Sequence, residues 1–230
     1  MGEYNSKPGH ERVRPTNQDD DLRRRWHDAM RGIGAPMLRD DIYRELVSAY
    51  TGPDRHYHDI RHIADCLREF DGVRHLAHNP DALQVAIWFH DVVYDGRRMD
   101  NEEQSAEVAA DALQRLGASD AFIEQVQQLI LFTRHNTEPD TPDGKLMVDI
   151  DLTSLALAPD RFDENSRSIR SEYLHVPDET FVRNRNDMLG GLLKRPRIYY
   201  TDVFYDRCEG QARENLERVV GGGSVSVWKQ

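Results

Sequence analysis

The chain has 230 residues and a formal charge of −11, with hydrophobic residues making up 38%. Length allows one large domain with a sizeable core, and the acidic balance excludes a general nucleic-acid-coating role, which needs a basic surface. Two cysteines, Cys66 and Cys208, suit a reduced cytosolic compartment and exclude a disulfide framework or a Cys-rich zinc site. An apolar run of membrane-spanning length and a signal-peptide core are both missing from the pattern, so the chain reads as soluble and cytoplasmic.

Residues 1–20 are polar and lack a periodic apolar face, which predicts a mobile tail. From Leu22 the spacing becomes helical. Leu22, Trp26, Ala29 and Met30 share a face, and Gly32, Gly34 and Pro36 stop the run. A second helix carries Ile42, Leu46, Val47 and Tyr50 and ends at Thr51-Gly52-Pro53. His58 and His62, four apart on one face, then lead into Ile63, Cys66, Leu67 and Phe70. Asn79-Pro80-Asp81 signals a helix start. The helix that follows (Leu83, Val85, Ala86, Ile87, Phe89) is apolar nearly all round and belongs at the centre of a bundle. It delivers His90 and Asp91 to the interior, which is costly unless both are ligated or paired.

Asn101-Glu102-Glu103-Gln104-Ser105 opens a helix running to Leu116. Ser119 reads as the N-cap of another, with Phe122, Val126, Leu129, Ile130 and Thr133 on one face and His135 at its end. Glu138 to Gly144, with two prolines, reads as a surface loop. Met147 to Leu152 fits either a short strand or a helix start. Helical patterns continue through Phe162–Tyr173, Glu179–Leu193 and Cys208–Val220, and 221–230 reads as a flexible tail. With no internal repeat, the expectation is one all-α domain over 21–220.

His62, His90, Asp91 and Asp151 lie at the ends of apolar segments and supply two nitrogens and two carboxylates. That mixture suits one divalent transition metal (Mn, Fe, Co, Ni or Zn), with Mg less at ease beside two imidazoles. Any one such histidine is more often a hydrogen-bonded core residue; the set shares one explanation, because several buried ionisable groups need it. Arg170, Arg185, Arg195 and Arg213 lie on or beside helices in the C-terminal half, where a guanidinium fork can match phosphate oxygens, although most arginines are solvated.

The order His62, His90-Asp91, Asp151 resembles the HD superfamily of metal-dependent phosphohydrolases, named for the His-Asp pair. From Trp26 to Leu216 the chain is similar to a bacterial branch of predicted HD phosphohydrolases. The stretches that carry the likeness are 57–63, 89–95, 101–106, 149–152, 169–173 and 212–216. The resemblance implies a single-domain helical bundle, and it favours His62 over His58 and Asp151 over Asp149 as ligands. It leaves His58 as a substrate contact or a partner to a ligand, and His135 as a contact for phosphate or the attacking water. It also retains Arg170 and Arg185 as substrate-binding candidates. Asp95 has two readings, general base or the Asp of an Asp-Gly turn.

The activity so implied is hydrolysis of a nucleotide or related small phosphorylated metabolite. A nucleic-acid polymer and a membrane are not expected partners, and helical bundles of this kind often pair, so a homodimer is compatible with the chain. Two other classes stay open. One is a di-iron oxygenase of the same scaffold, although His135 alone between His90-Asp91 and Asp151 leaves it short of nitrogens. The other is a non-catalytic metal-binding sensor or interaction module.

Overall fold

The computed structural model describes residues 17–35 and 39–222. The tail readings for 1–16 and 223–230, and the role of Pro36, lie outside the described residues. Among the described residues there are ten α-helices and no strand: α1 (Asn17–Gly32), α2 (Asp40–Tyr50), α3 (Ile60–Val73), α4 (Pro80–Phe89), α5 (Asn101–Arg115), α6 (Asp120–Phe132), α7 (Pro142–Asp151), α8 (Pro159–Glu172), α9 (Asp178–Leu193) and α10 (Asp202–Val220). Two short 3-10 turns, Arg74–Leu76 and Leu152–Ala156, follow α3 and α7. The chain is an all-α bundle, and none of these helices is long and apolar enough to cross a membrane.

The central element is α4, as its all-round apolarity requires. Every residue from Ala82 to Phe89 is buried. Asn79 caps its start by accepting the Ala82 amide, and Pro80 occupies a first-turn position where no amide hydrogen is needed. Helices α1, α3, α5, α6 and α7 all pack against it. Trp88 meets the edge of Trp26 at 5.8 Å and of Tyr43 at 6.1 Å, and its carbonyl accepts the Tyr50 hydroxyl at 3.0 Å. A side chain of this size, wholly enclosed, costs about 3–5 kcal/mol to truncate. The core is therefore anchored one turn before the His-Asp pair.

Three stretches differ from the sequence reading: residues 17–20, read as part of the tail, form the first turn of α1, and the other two are the 138–144 loop and the start of α10. The Glu138–Gly144 surface loop is in fact the entry to α7. Thr141 caps it through the Gly144 amide, and Asp143 is buried, accepting the amides of His78 and Asn79 at 2.7 and 2.8 Å. Gly144 has to be glycine, because a Cβ there would stand 2.7 Å from the Phe132 ring. The 147–152 segment is helical, so its alternation reflects a buried α7 rather than a strand. In the C-terminal half, α10 begins at Asp202, six residues before the apolar pattern becomes legible. It is tied to the 152–156 turn by Asn215, whose amide reaches the carbonyls of Leu155 and Leu157.

Candidate metal centre

Three helix ends deliver the cluster. Asp59 caps α3 by accepting the Arg61 and His62 amides, which places His62 in the first turn with its ring inward. α4 ends at His90, and the Val92 amide bonds to the Phe89 carbonyl, tightening the exit so that His90 and Asp91 face one point. Asp151 is the last residue of α7. Arg55 locks the α3 and α4 ends together, donating to the carbonyls of His58, Asp91 and Val92 at 2.9, 2.6 and 2.8 Å.

His62 Nε2 and His90 Nε2 are 3.1 Å apart. His62 Nε2 lies 3.6 Å from Asp91 Oδ2 and 3.2 Å from Asp151 Oδ1; for His90 Nε2 the same separations are 3.1 and 3.5 Å. Donor atoms held at ~2.1 Å by one ion stand roughly 3.0 Å apart in an octahedral shell and 3.4 Å in a tetrahedral one. The spacing therefore fits a single cation. The imidazoles are 5% and 1% exposed and the carboxylates 15% each, so the cluster is closed behind by nitrogen and open in front by oxygen. His90 donates Nδ1–H to the Ile87 carbonyl at 3.0 Å, leaving its Nε2 lone pair for a ligand.

Cys66, one turn after His62, brings its thiol into the same group; single ligand atoms of His62, Cys66, His90 and Asp151 all lie within 4.8 Å of one another. This buried group could hold a metal ion. Cys66 Sγ is 3.8 and 3.7 Å from the two nitrogens of His62. It thus sits beside that ring rather than along the Nε2 lone pair, and Asp91 is the better placed fourth ligand.

Electrostatics agree with an ion site. Burial pushes the His90 imidazole down, but Asp91 and Asp151 outweigh it and raise it well above its usual value. His62 moves the same way, with burial opposed by Cys66, Tyr57 and Asp151. Burial likewise raises Asp91 and Asp151; the surrounding histidines overcome it and hold both carboxyls low.

Asp149 and His58, the alternatives to Asp151 and His62, both lie outside the cluster. Asp149 is fully buried and turned away, accepting the Tyr200 and Thr201 amides and the Thr201 hydroxyl at 2.6–2.7 Å. Burial lifts its pKa to about 6 against these hydrogen bonds. His58 is not in the cluster. Its Nδ1 meets Glu172 Oε2 at 2.6 Å, and its ring stacks on Tyr94 at 3.7 Å.

Glu172 also accepts the amides of His56, Tyr57 and His58 through Oε1, at 2.9, 2.8 and 2.9 Å. Burial alone would raise this carboxyl; His58 and the amides bring it below its ordinary range. A carboxylate on Nδ1 leaves His58 Nε2 for the cavity in front of the cluster.

That cavity has a volume of about 520 Å³, and its walls include His58, Asp91, Tyr94, His135, Asp151 and Arg185. A second cavity of about 380 Å³ reaches His62 and Cys66 from the other side. The 2.6 Å Tyr57–Ser154 hydrogen bond joins two residues that line both.

His135 has a left-handed backbone (φ 56°), a conformation that costs a non-glycine residue roughly 1–2 kcal/mol. The Arg195 guanidinium holds its carbonyl at 2.6 Å, and its Nε2 meets Asp151 Oδ2 at 2.9 Å. His135 thus orients the Asp151 carboxylate.

Two expected residues fall outside the site. Asp95 is the turn residue of its two readings: its carboxylate is exposed and accepts the Arg97 amide at 2.9 Å, while Asn101 brackets its backbone. Arg170 is consumed internally. It bonds to Asp178 and to the carbonyls of Tyr173 and Val176 and lies over the Phe181 ring. Arg185 does line the cavity, and its buried Nε has no hydrogen-bond partner.

Glu172, Tyr94 and Cys66 gave weaker signals in the sequence. Only Cys66, at helical spacing from His62, could have been found by pattern. Glu172 lies 114 residues from His58, beyond any local rule. Comparison of the chain with protein families, curated proteins and solved structures finds no match.

Proposed function

We propose that this chain is a metal-dependent phosphohydrolase of the HD type, acting on a nucleotide or related small phosphorylated metabolite. The observation that carries the reading is the convergence of His62, His90, Asp91 and Asp151 within 3.1–3.6 Å contacts, open on the carboxylate side to a cavity that contains an unpaired guanidinium. Two imidazoles and two carboxylates favour Mn, Fe, Co, Ni or Zn over Mg. Such an ion, when bound, polarises a phosphoryl oxygen and makes a water acidic enough to attack near neutral pH.

The chain's own residues account for the rest. Arg185 offers hydrogen-bond donors to the non-bridging oxygens, where its positive charge counts most in a site shielded from water. His58, held in one tautomer by Glu172, presents Nε2 to the cavity and moves a proton at the attacking or departing oxygen. His135 keeps Asp151 aimed. Asp95 takes no part. The test is phosphate release from a panel of phosphorylated metabolites with added Mn, Co, Ni or Mg. His90→Ala and Asp91→Ala should lose bound metal and turnover together, and a metal-free variant with full turnover refutes the reading.

A further inference from the structure

The cavity in front of the cluster is short of free positive charge, and this bears on what it can accept. Arg98 is paired at two points with Asp100, at 2.9 and 2.7 Å, and Arg134 with Glu103. Arg55 is spent on three carbonyls, and Arg195 on the His135 carbonyl and the Tyr200 hydroxyl. Among the described residues, Arg185 is the cavity-lining arginine with no ion pair, and its Nε is buried without a partner. The charged group bearing on it is Glu172, which is already saturated by three amides and His58.

A divalent ion at the cluster would be neutralised by Asp91 and Asp151. What remains is one guanidinium, with Glu102 on the same wall as a further acid. A phosphomonoester brings about two negative charges at neutral pH. Each additional phosphate in a chain brings more, and taking charge out of water without a partner is costly. The remaining wall is mixed, with Tyr94, Tyr173 and Leu192 beside the uncharged polar side chains of Asn101, Asn136 and Ser154. The Tyr94 and Tyr173 hydroxyls share one hydrogen bond at 3.0 Å. A volume of about 520 Å³ is that of a small-molecule site.

Resting on the phosphohydrolase reading, we infer that the substrate carries a single terminal phosphoryl group on an uncharged body. Arg185 is the residue that selects it. Phosphomonoesters are accepted, and di- and triphosphate chains are disfavoured.

The test is equilibrium binding of the four common nucleoside monophosphates and the matching triphosphates to the Mn-loaded full chain, with Mn in excess over nucleotide. Phosphate release is measured in parallel. The expected result is at least one monophosphate bound tenfold or more tighter than its triphosphate. Arg185→Gln should erase that preference with metal content unchanged, and Arg185→Lys should restore it only in part. Equal or tighter triphosphate binding overturns the inference, as does an Arg185→Gln variant that keeps the preference. The absence of binding by any of them overturns it too. A retained monophosphate preference without any phosphate release supports the selection and overturns the hydrolytic reading instead.

Discussion

Replacing Glu172 by glutamine isolates the one carboxylate that both shapes and orients the cavity wall. Glutamine is nearly isosteric, and its Oε1 can keep the amides of His56, Tyr57 and His58 at their 2.8–2.9 Å distances. Its NH2 group then faces His58 Nδ1 at 2.6 Å, where two donors cannot both stay. The imidazole must move its proton to Nε2, and a charge-assisted hydrogen bond worth ~1.5–3 kcal/mol is lost.

Because the Glu172 side chain is 1% exposed, solvent does not screen this loss. At ~2 kcal/mol it corresponds to a fall in Tm of roughly 4–8 °C for a chain of this size. The direct assay is nitrogen NMR of the His58 ring, in which the neutral tautomer changes from Nδ1–H to Nε2–H. If His58 moves the proton, kcat falls by about 10²-fold or more with KM little changed. An unchanged tautomer with unchanged Tm refutes the assignment of Glu172. A switched tautomer with unchanged kcat refutes the role of His58.

Three other outcomes follow from the same geometry. In the metal-free chain Asp91 and Asp151 hold His90 protonated above the usual imidazole value, and His62 is raised as well. An ion needs those lone pairs, so binding should release up to about two protons and strengthen as pH rises. The stability that these imidazolium pairs give the metal-free chain is full below the ordinary imidazole pKa of 6.5 and lost as pH rises through the higher folded values. Calorimetric titration in buffers of different ionisation heat reads the protons, and pH-independent affinity contradicts the scheme. Arg170→Ala, by removing the donors to Asp178 and to the Tyr173 and Val176 carbonyls, should cost about 2–4 kcal/mol in chemical denaturation while turnover per folded molecule survives. Asp95→Asn should leave kcat within about twofold, since its carboxylate only caps a surface turn; a loss of 10²-fold would return it to the chemistry.

How much of this was legible in the sequence depended on the range of each signal. α4 announced itself because a helix buried on every side has no polar face to hide. His62, His90, Asp91 and Asp151 were legible as a set because each borders an apolar run. α7 was not, since its prolines and Asp143 imitate a surface loop while Asp143 in fact anchors the 78–79 turn from inside. The start of α10 was hidden for a similar reason: Thr201-Asp202 precedes only Val203 and Phe204 before polar residues resume.

Among the arginines, sequence position could not separate Arg170, spent on its own helix end, from Arg185, which reaches the cavity. That distinction lies in hydrogen bonds to residues on other turns and helices. The His58–Glu172 couple is likewise a tertiary fact, joining the loop before α3 to the last residue of α8.

The measurement that bears most directly on the centre is metal content per chain, taken by elemental analysis after purification without chelator and paired with phosphate release. The account predicts one transition-metal ion per chain, lost in His90→Ala, with release that depends on restoring it. Two irons per chain without phosphate release, or full release from a metal-free chain, would contradict it.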